Sequence, residues 1–464
     1  MRVNQPYRRT KKSVARRRFL TTAVTAGATG ISLPEVLRQQ AQATDVTPGT
    51  NPDTAVINIW LGGGPSQFET YDPKPRAPQE IRGSYGDIAT NLAGLRISDT
   101  LPLHANIMDK TAVIRSFTIP TNNHIFGAHW CMSGHYETRT ESLNHPSIGS
   151  LVSKLRGPNR PGVPPYVHFS QPQDRNFNIG EAHYAGYLGV SHNPFTIKAD
   201  SSKSEFQVDN LKLADDITLE RLEDRQWLMK RLDTIRRAVD SQGVMDSVDQ
   251  FNRLALEMVS GSAARNAFDL SRVDSKTRER YGNHRWGQSA LLALRLVEAG
   301  VPFVTINTAP DSLCWDWHLN LKHDHRPADG SLGPSRGMDV SGPWLDRMVT
   351  ALVEDIYDRG LDRKVLLLVW GEFGRTPRIN KTGGRDHWGS LMSVLMAGGG
   401  LRVGQVIGAS NSKGEVPVER PIGPLDILVM VYRHLGMDLN LQTVNRAGRP
   451  IHLLAGGEII PELV

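Results

Sequence analysis

Four stretches of this 464-residue chain gather carboxylates, imidazoles and guanidiniums just after an apolar run: residues 66–72, 121–129, 316–325 and 372–387. These side chains are what a divalent metal requires. Imidazole nitrogens and carboxylate oxygens must converge at about 2.0–2.2 Å from it, and two ions about 3.5–4 Å apart can hold both oxygens of a displacement. Asp316 and His318 are two positions apart, so on an extended segment both can reach one side. Glu372 and the pair Asp386–His387 flank two apolar runs that read as neighbouring strands. Asp316, His318, Glu372, Asp386 and His387 are therefore the candidate ligands. Arg375 or Arg385 can grip an anion through paired hydrogen bonds.

Each of these residues also has a structural reading. Asp316 can cap a helix. Glu372 can bridge to Arg375 or Arg378. His323, Asp324 and His325 fit an exposed polar turn as well as a ligand set, and His129 and His135 fit the polar face of a helix. His387 is harder to explain structurally, because it stands between a Gly-rich loop and an apolar run.

The elements around these residues follow an alternating pattern. Apolar runs at 55–61, 111–119, 166–169, 301–308, 365–370 and 391–397 read as buried strands. Helical spacing at 147–155, 286–299, 343–359 and 424–435 separates them, with Gly300 and Gly360 as stops. Strands alternating with helices predict an α/β sandwich of three layers, with a mainly parallel sheet between helices. Ligands in such folds lie beyond the carboxyl ends of the strands, which is where the polar stretches fall. Residues 208–282 read as a charged helical insertion, 448–464 as a closing strand pair, and 55–464 as a single domain.

The first 43 residues have the character of an address. Arg16-Arg17-Arg18-Phe19-Leu20 fits a twin-arginine pattern, a mild apolar segment follows, and Ala41-Gln42-Ala43 fits a cleavage signal. Export to the periplasm or beyond is the expectation, with 44–54 a linker. The whole chain carries 54 Lys and Arg against 48 Asp and Glu, a formal charge of +6. Nine basic and one acidic residue belong to the leader, which leaves 45 and 47, or −2. The basicity thus lies in the leader, and a nucleic-acid partner is not expected. No apolar stretch is long enough to span a membrane. Cys131 and Cys314 could pair in an exported protein, and the sequence does not decide it.

The motifs GGGPSQFETYDPKP (62–75), NNHIFGAHWCMSGH (122–135), WDWHLN (315–320) and GEFGRTPRIN with GRDHW (371–388) resemble the family known as domain of unknown function 1501. That family is grouped with the alkaline phosphatase and sulfatase superfamily. The resemblance implies an α/β/α fold, a metal site for a divalent ion such as zinc or calcium, and hydrolysis of sulfate or phosphate esters on small molecules or polysaccharides. It sets Glu372 where the superfamily has Asp, Phe373 where it has a ligand His, and His387 at a later ligand His. His124 falls at the nucleophile's position, where it would act near the leaving group, with Arg375 steadying the anion. The altered residues at 124 and 373 also suit a non-catalytic binding or scaffold protein that kept the cleft.

Overall fold

The computed structural model describes residues 53–170, 180–204, 206–208, 262–308, 315–319 and 337–464. Its centre is an eight-stranded sheet. The strands are β1 (Ala55–Trp60), β2 (Thr111–Phe117), β3 (Tyr166–Phe169), β4 (Phe195–Ile197), β5 (Phe303–Asn307), β6 (Val365–Trp370), β7 (Met392–Gly398) and β8 (Gln405–Ile407). Their order across the sheet is β8-β2-β7-β6-β1-β5-β3-β4. β7 runs antiparallel to both its neighbours, and every other pairing is parallel. β1 and β6 are buried along their whole length, which explains their unbroken apolar sequence.

Alternation along β1 divides the interior in two. Ile57 and Ile59 face one apolar core, while Val56 and Trp60 face the other. Helices α1 (His124–Ser133), α2 (Ile148–Leu155) and α5 (Pro424–His434) close the second core, and α3 (Arg285–Ala299) and α4 (Met338–Asp358) close the first. Helices thus cover both faces, and the expected fold class is the one observed.

Two details differ from what the sequence predicts. α4 begins at Met338, before Pro343. A proline this early forfeits only one backbone hydrogen bond, and buried Met338 anchors the first turn. The closing strand pair joins Gln442–Val444 to Pro450–His452, outside the main sheet, so only one of its strands lies in the expected stretch. Residues His104–Asn106 form a 3-10 turn, with buried Asp346 accepting from the backbone N–H groups of Leu103 and His104. The leader, the first nine linker residues, most of the proposed insertion, Cys314 and the 323–325 trio lie outside the described residues. Cys131 is a buried free thiol.

The core facing α1 carries histidines as well as apolar groups. Burial pushes the pKa of His183 down to about 3 and that of His129 to about 4. Unfolding exposes these rings, whose ordinary value is 6.5, so the unfolded chain binds more protons below that pH. The stabilisation that these two rings contribute should be full above pH 6.5 and should fall as the pH drops toward 3. Fully buried His183 alone would account for about 1.4 kcal/mol per pH unit. Urea melts between pH 7 and 4.5 test this. An unchanged midpoint would refute it.

Candidate metal centre

β1, β2, β5 and β6 all end at the same edge of the sheet, and the chain enters β7 from that edge. The polar stretches are delivered there. β1 runs out into Gly62 and Gly63, and β6 into Gly371 and Glu372. The segment after β2 leads into α1, whose first residue is His124, with Asn123 capping the helix through the N–H groups of Ile125 and Phe126. Residues 315–319 follow β5. Just before β7, a two-residue strand pairs His387 with Arg375. Thr376 closes the intervening loop by donating its N–H to Asp386 O at 2.9 Å.

His124, Asp316 and His387 converge: one ligand atom from each lies within 4.8 Å of the others. Nε2 of His387 is 3.0 Å from Asp316 Oδ1, and Nε2 of His124 is 3.5 Å from Oδ2. His318 completes the group. Its Nε2 lies 2.9 Å from Asp316 Oδ1 and 2.8 Å from His387 Nε2.

The other nitrogen of each ring fixes its tautomer. Nδ1 of His124 meets Glu372 Oε1 at 2.6 Å, Nδ1 of His387 meets Asn122 O at 2.8 Å, and Nδ1 of His318 meets Asp386 Oδ1 at 2.9 Å. A carboxylate and a backbone carbonyl can only accept, so each Nδ1 carries the proton in the neutral ring. All three Nε2 lone pairs then point toward the Asp316 carboxylate. Lone pairs packed against an anion repel unless protons or a cation lie between them. Metal-bound histidines carry the same outer hydrogen bonds to carboxylates and carbonyls. Among the described residues His124 Nε2 is buried without a hydrogen-bond partner, which leaves its lone pair available to an ion. The residues present therefore fit a divalent ion.

The charges agree with this. Burial opposes ionisation of Asp316, yet the three histidines and Arg375 hold its carboxyl far below the usual range. Burial also opposes a charged His124, but the Asp316 and Glu372 carboxylates outweigh it and raise its pKa. Hydrogen bonding to Asp316 raises that of His318. The cluster is a sink for positive charge.

Several expectations need correction. Glu372 is fully buried, holds His124 through Oε1 and accepts the Gly63 N–H on the same oxygen at 2.8 Å. It orients His124 through Oε1 and lies outside the converging set of His124, Asp316 and His387, although its Oε2 is buried without a partner among the described residues, where it also has no ion pair with an arginine. Asp386 does the same for His318, from a more exposed position. Arg375 does not face an anion site. It is fully buried, and its guanidinium donates to Gly64 O at 2.8 Å, Arg385 O at 3.1 Å, Gly63 O, and Asp316 Oδ1 at 2.6 Å. Arg385 is equally committed, to Glu69 and to three backbone carbonyls. His124, expected to act near a leaving group, stands among the ligands. Asp316 is described outside any helix, so it caps none. The sequence reading passed over Gly63 and Asn122, whose backbones fix Glu372 and His387. Only the glycine triplet after β1 hinted at the first.

One consequence follows for Glu372. Glu372→Gln keeps the shape but weakens the acceptor on His124, and outer hydrogen bonds of this kind are worth about 10–100-fold in metal affinity. Titration with zinc should show a loss in that range with little change in melting temperature. Unaltered affinity would remove Glu372 from the site.

Fold and side chains together define an α/β protein with a candidate metal centre at the carboxyl edge of its sheet. The sequence profile of the family described as "Protein of unknown function (DUF1501)" matches residues 53–464, and the chain belongs to that family. No curated protein matches it. Among solved structures it is similar to the lipoteichoic acid synthase LtaP from Listeria monocytogenes (9% identity, TM-score 0.38, covering 89% of this chain and 78% of that one). It is also similar to the PsFucS1 sulfatase from Pseudoalteromonas sp. (12%, 0.37, 83% and 68%). A third is the alkaline phosphatase from the Antarctic bacterium TAB5 (12%, 0.35, 84% and 99%). At TM-scores below 0.5 these likenesses are too distant to bear on the chemistry of the site. Among the described residues no helix is long and apolar enough to cross a membrane.

Proposed function

We propose that this protein is an exported, metal-assisted hydrolase of sulfate or phosphate esters. The observation that carries the metal is the convergence of His124, Asp316 and His387, each histidine with its Nδ1 tied to an acceptor. The ester class rests on the motif resemblance to the alkaline phosphatase and sulfatase superfamily. Export rests on the twin-arginine pattern and the Ala-x-Ala signal that follows it.

His124, His387 and Asp316 would hold the ion, with His318 beside them. Two or three imidazoles and one carboxylate suit zinc and other first-row transition metals. Calcium, allowed by the sequence reading, prefers six to eight oxygens and is disfavoured by these nitrogens. When bound, such an ion polarises an ester oxygen and acidifies a water toward neutrality. The chain's own groups do the positioning. Glu372, Asn122 and Asp386 hold the Nδ1 protons, so that in the neutral rings the three Nε2 lone pairs aim inward. Arg375 fixes the Asp316 carboxylate. Phe373, fully buried, packs 4.8 Å from the rings of both His124 and His387 and walls the site with carbon. With Arg375 and Arg385 committed elsewhere, an anionic substrate would depend on the metal for its charge partner.

Phe373 also favours a second reading, a non-catalytic binding or scaffold protein, because a phenyl ring cannot ligate a second ion. The two readings separate on purified mature protein. Metal analysis followed by cleavage assays on aryl sulfates and aryl phosphates should show about one ion per chain and turnover that is absent in His387→Ala. Bound metal without turnover on either ester would favour the scaffold. Full turnover in His387→Ala would dismiss the site.

A further inference from the structure

A second group of histidines lies in the core between the sheet and α1, apart from the metal centre. His168 stands in the middle of β3 and is 1% exposed, and His183, at the end of a 3-10 turn, is wholly buried. Their rings lie 4.5 Å apart, tilted by 36°. Trp60, the last residue of β1 and also fully buried, sets its ring edge-on to His183 at 6.1 Å. Among the described residues none of the four imidazole nitrogens has a hydrogen-bond partner, and neither has Trp60 Nε1.

Five unpaired ring nitrogens in one buried place are a heavy concentration, since buried polar atoms are almost always partnered. Burial keeps both imidazoles neutral, so each ring offers one N–H and one lone pair, and the indole offers one N–H. The group therefore presents three donors and two acceptors. A metal ion would use the two lone pairs and leave three N–H groups unmatched. An anion would use the donors and leave the lone pairs. A ligand that both donates and accepts satisfies both sets. Two hydrogen-bonded waters, after their bond to each other, offer three donors and three acceptors, enough for all five nitrogens.

We infer that His168, His183 and Trp60 line a permanent internal hydration site holding about two water molecules. These waters join the 180–183 turn to β1 and β3. Ser147 secures the same turn from its far side, its hydroxyl donating to His183 O at 2.9 Å. The site is independent of the proposed reaction.

Two measurements test this. A high-resolution crystal structure should show water density within hydrogen-bond distance of nitrogens on at least two of the three rings. Deuterium relaxation dispersion should lose the amplitude of about two long-lived waters in the double variant His168→Phe/His183→Phe, once circular dichroism shows it folded. Equal amplitude in that variant, a dry site, or an anomalous metal peak between the rings would each overturn the inference. If the variant does not fold, the crystal structure of the unaltered protein decides alone.

Discussion

Asp316→Ala should release the metal entirely and destabilise the protein at the same time. The carboxylate is the one anion on which the three Nε2 atoms converge, so its loss leaves a cation facing imidazoles only. It is also the ion-pair partner of Arg375, whose guanidinium is fully buried. Removing one member of a buried pair usually costs about 3–5 kcal/mol, because the other charge stays behind unpaired. Arg375 keeps three backbone carbonyls, which places this variant toward the lower end. Elemental analysis and a thermal melt would show both effects, metal below detection and a clear drop in melting temperature. Asp316→Asn should separate them. It keeps an acceptor for Arg375 and loses most of the metal. A variant that retains stoichiometric metal would end the case for this centre.

Gly63→Ala is expected to be nearly as damaging, although residue 63 contributes no side chain. Its φ is +107°, a conformation that side-chain-bearing residues rarely adopt. A Cβ built there would lie 2.7 Å from the backbone nitrogen of Asp316 and 3.0 Å from two backbone atoms of Trp315. All three atoms are backbone, so no flexible side chain can yield. Gly63 also donates to Glu372 and accepts from Arg375, so a shift disturbs three members of the centre. Strain of this kind costs about 1–3 kcal/mol. Metal affinity should fall further than in Glu372→Gln, because a ligand and its support move together. Isothermal titration against zinc, beside a melt, measures this. Wild-type affinity would mean that Asp316 is not seated on the glycine turn.

The two variants bear on one arrangement. Residues 315–319 have little regular structure of their own and are held from two sides, with Trp315 donating its N–H to Gly62 O and Arg385 donating its N–H to Trp317 O. Trp315 and Trp317, both buried, anchor the segment against Trp286 on α3. Asp316 stands in the chain between these two anchored residues. The accuracy of the site therefore depends on the packing of a loop more than on any strand.

What could be read from the chain alone was whatever local physics controls. Apolar runs of strand length, separated by helical spacing with glycine stops, determined a mainly parallel sheet between helices. The same pattern put the carboxylates and imidazoles at strand ends. Asp316, His318, Glu372, Asp386 and His387 could all be named as candidate ligands from their types and places, and only His387 had few other roles to fill. Tertiary structure decided which polar groups touch. Glu372 and Arg375 stand three positions apart and looked alike as site residues, yet one orients His124 and the other locks Asp316. His124 joins the candidate cluster because β2 lies in the sheet where α1 can bring its first residue to Glu372 at the end of β6. Hydrogen bonds between residues 248 positions apart, as between His124 and Glu372, depend on strand order and register. Those are set by the summed packing of two cores, and no short stretch of sequence contains them.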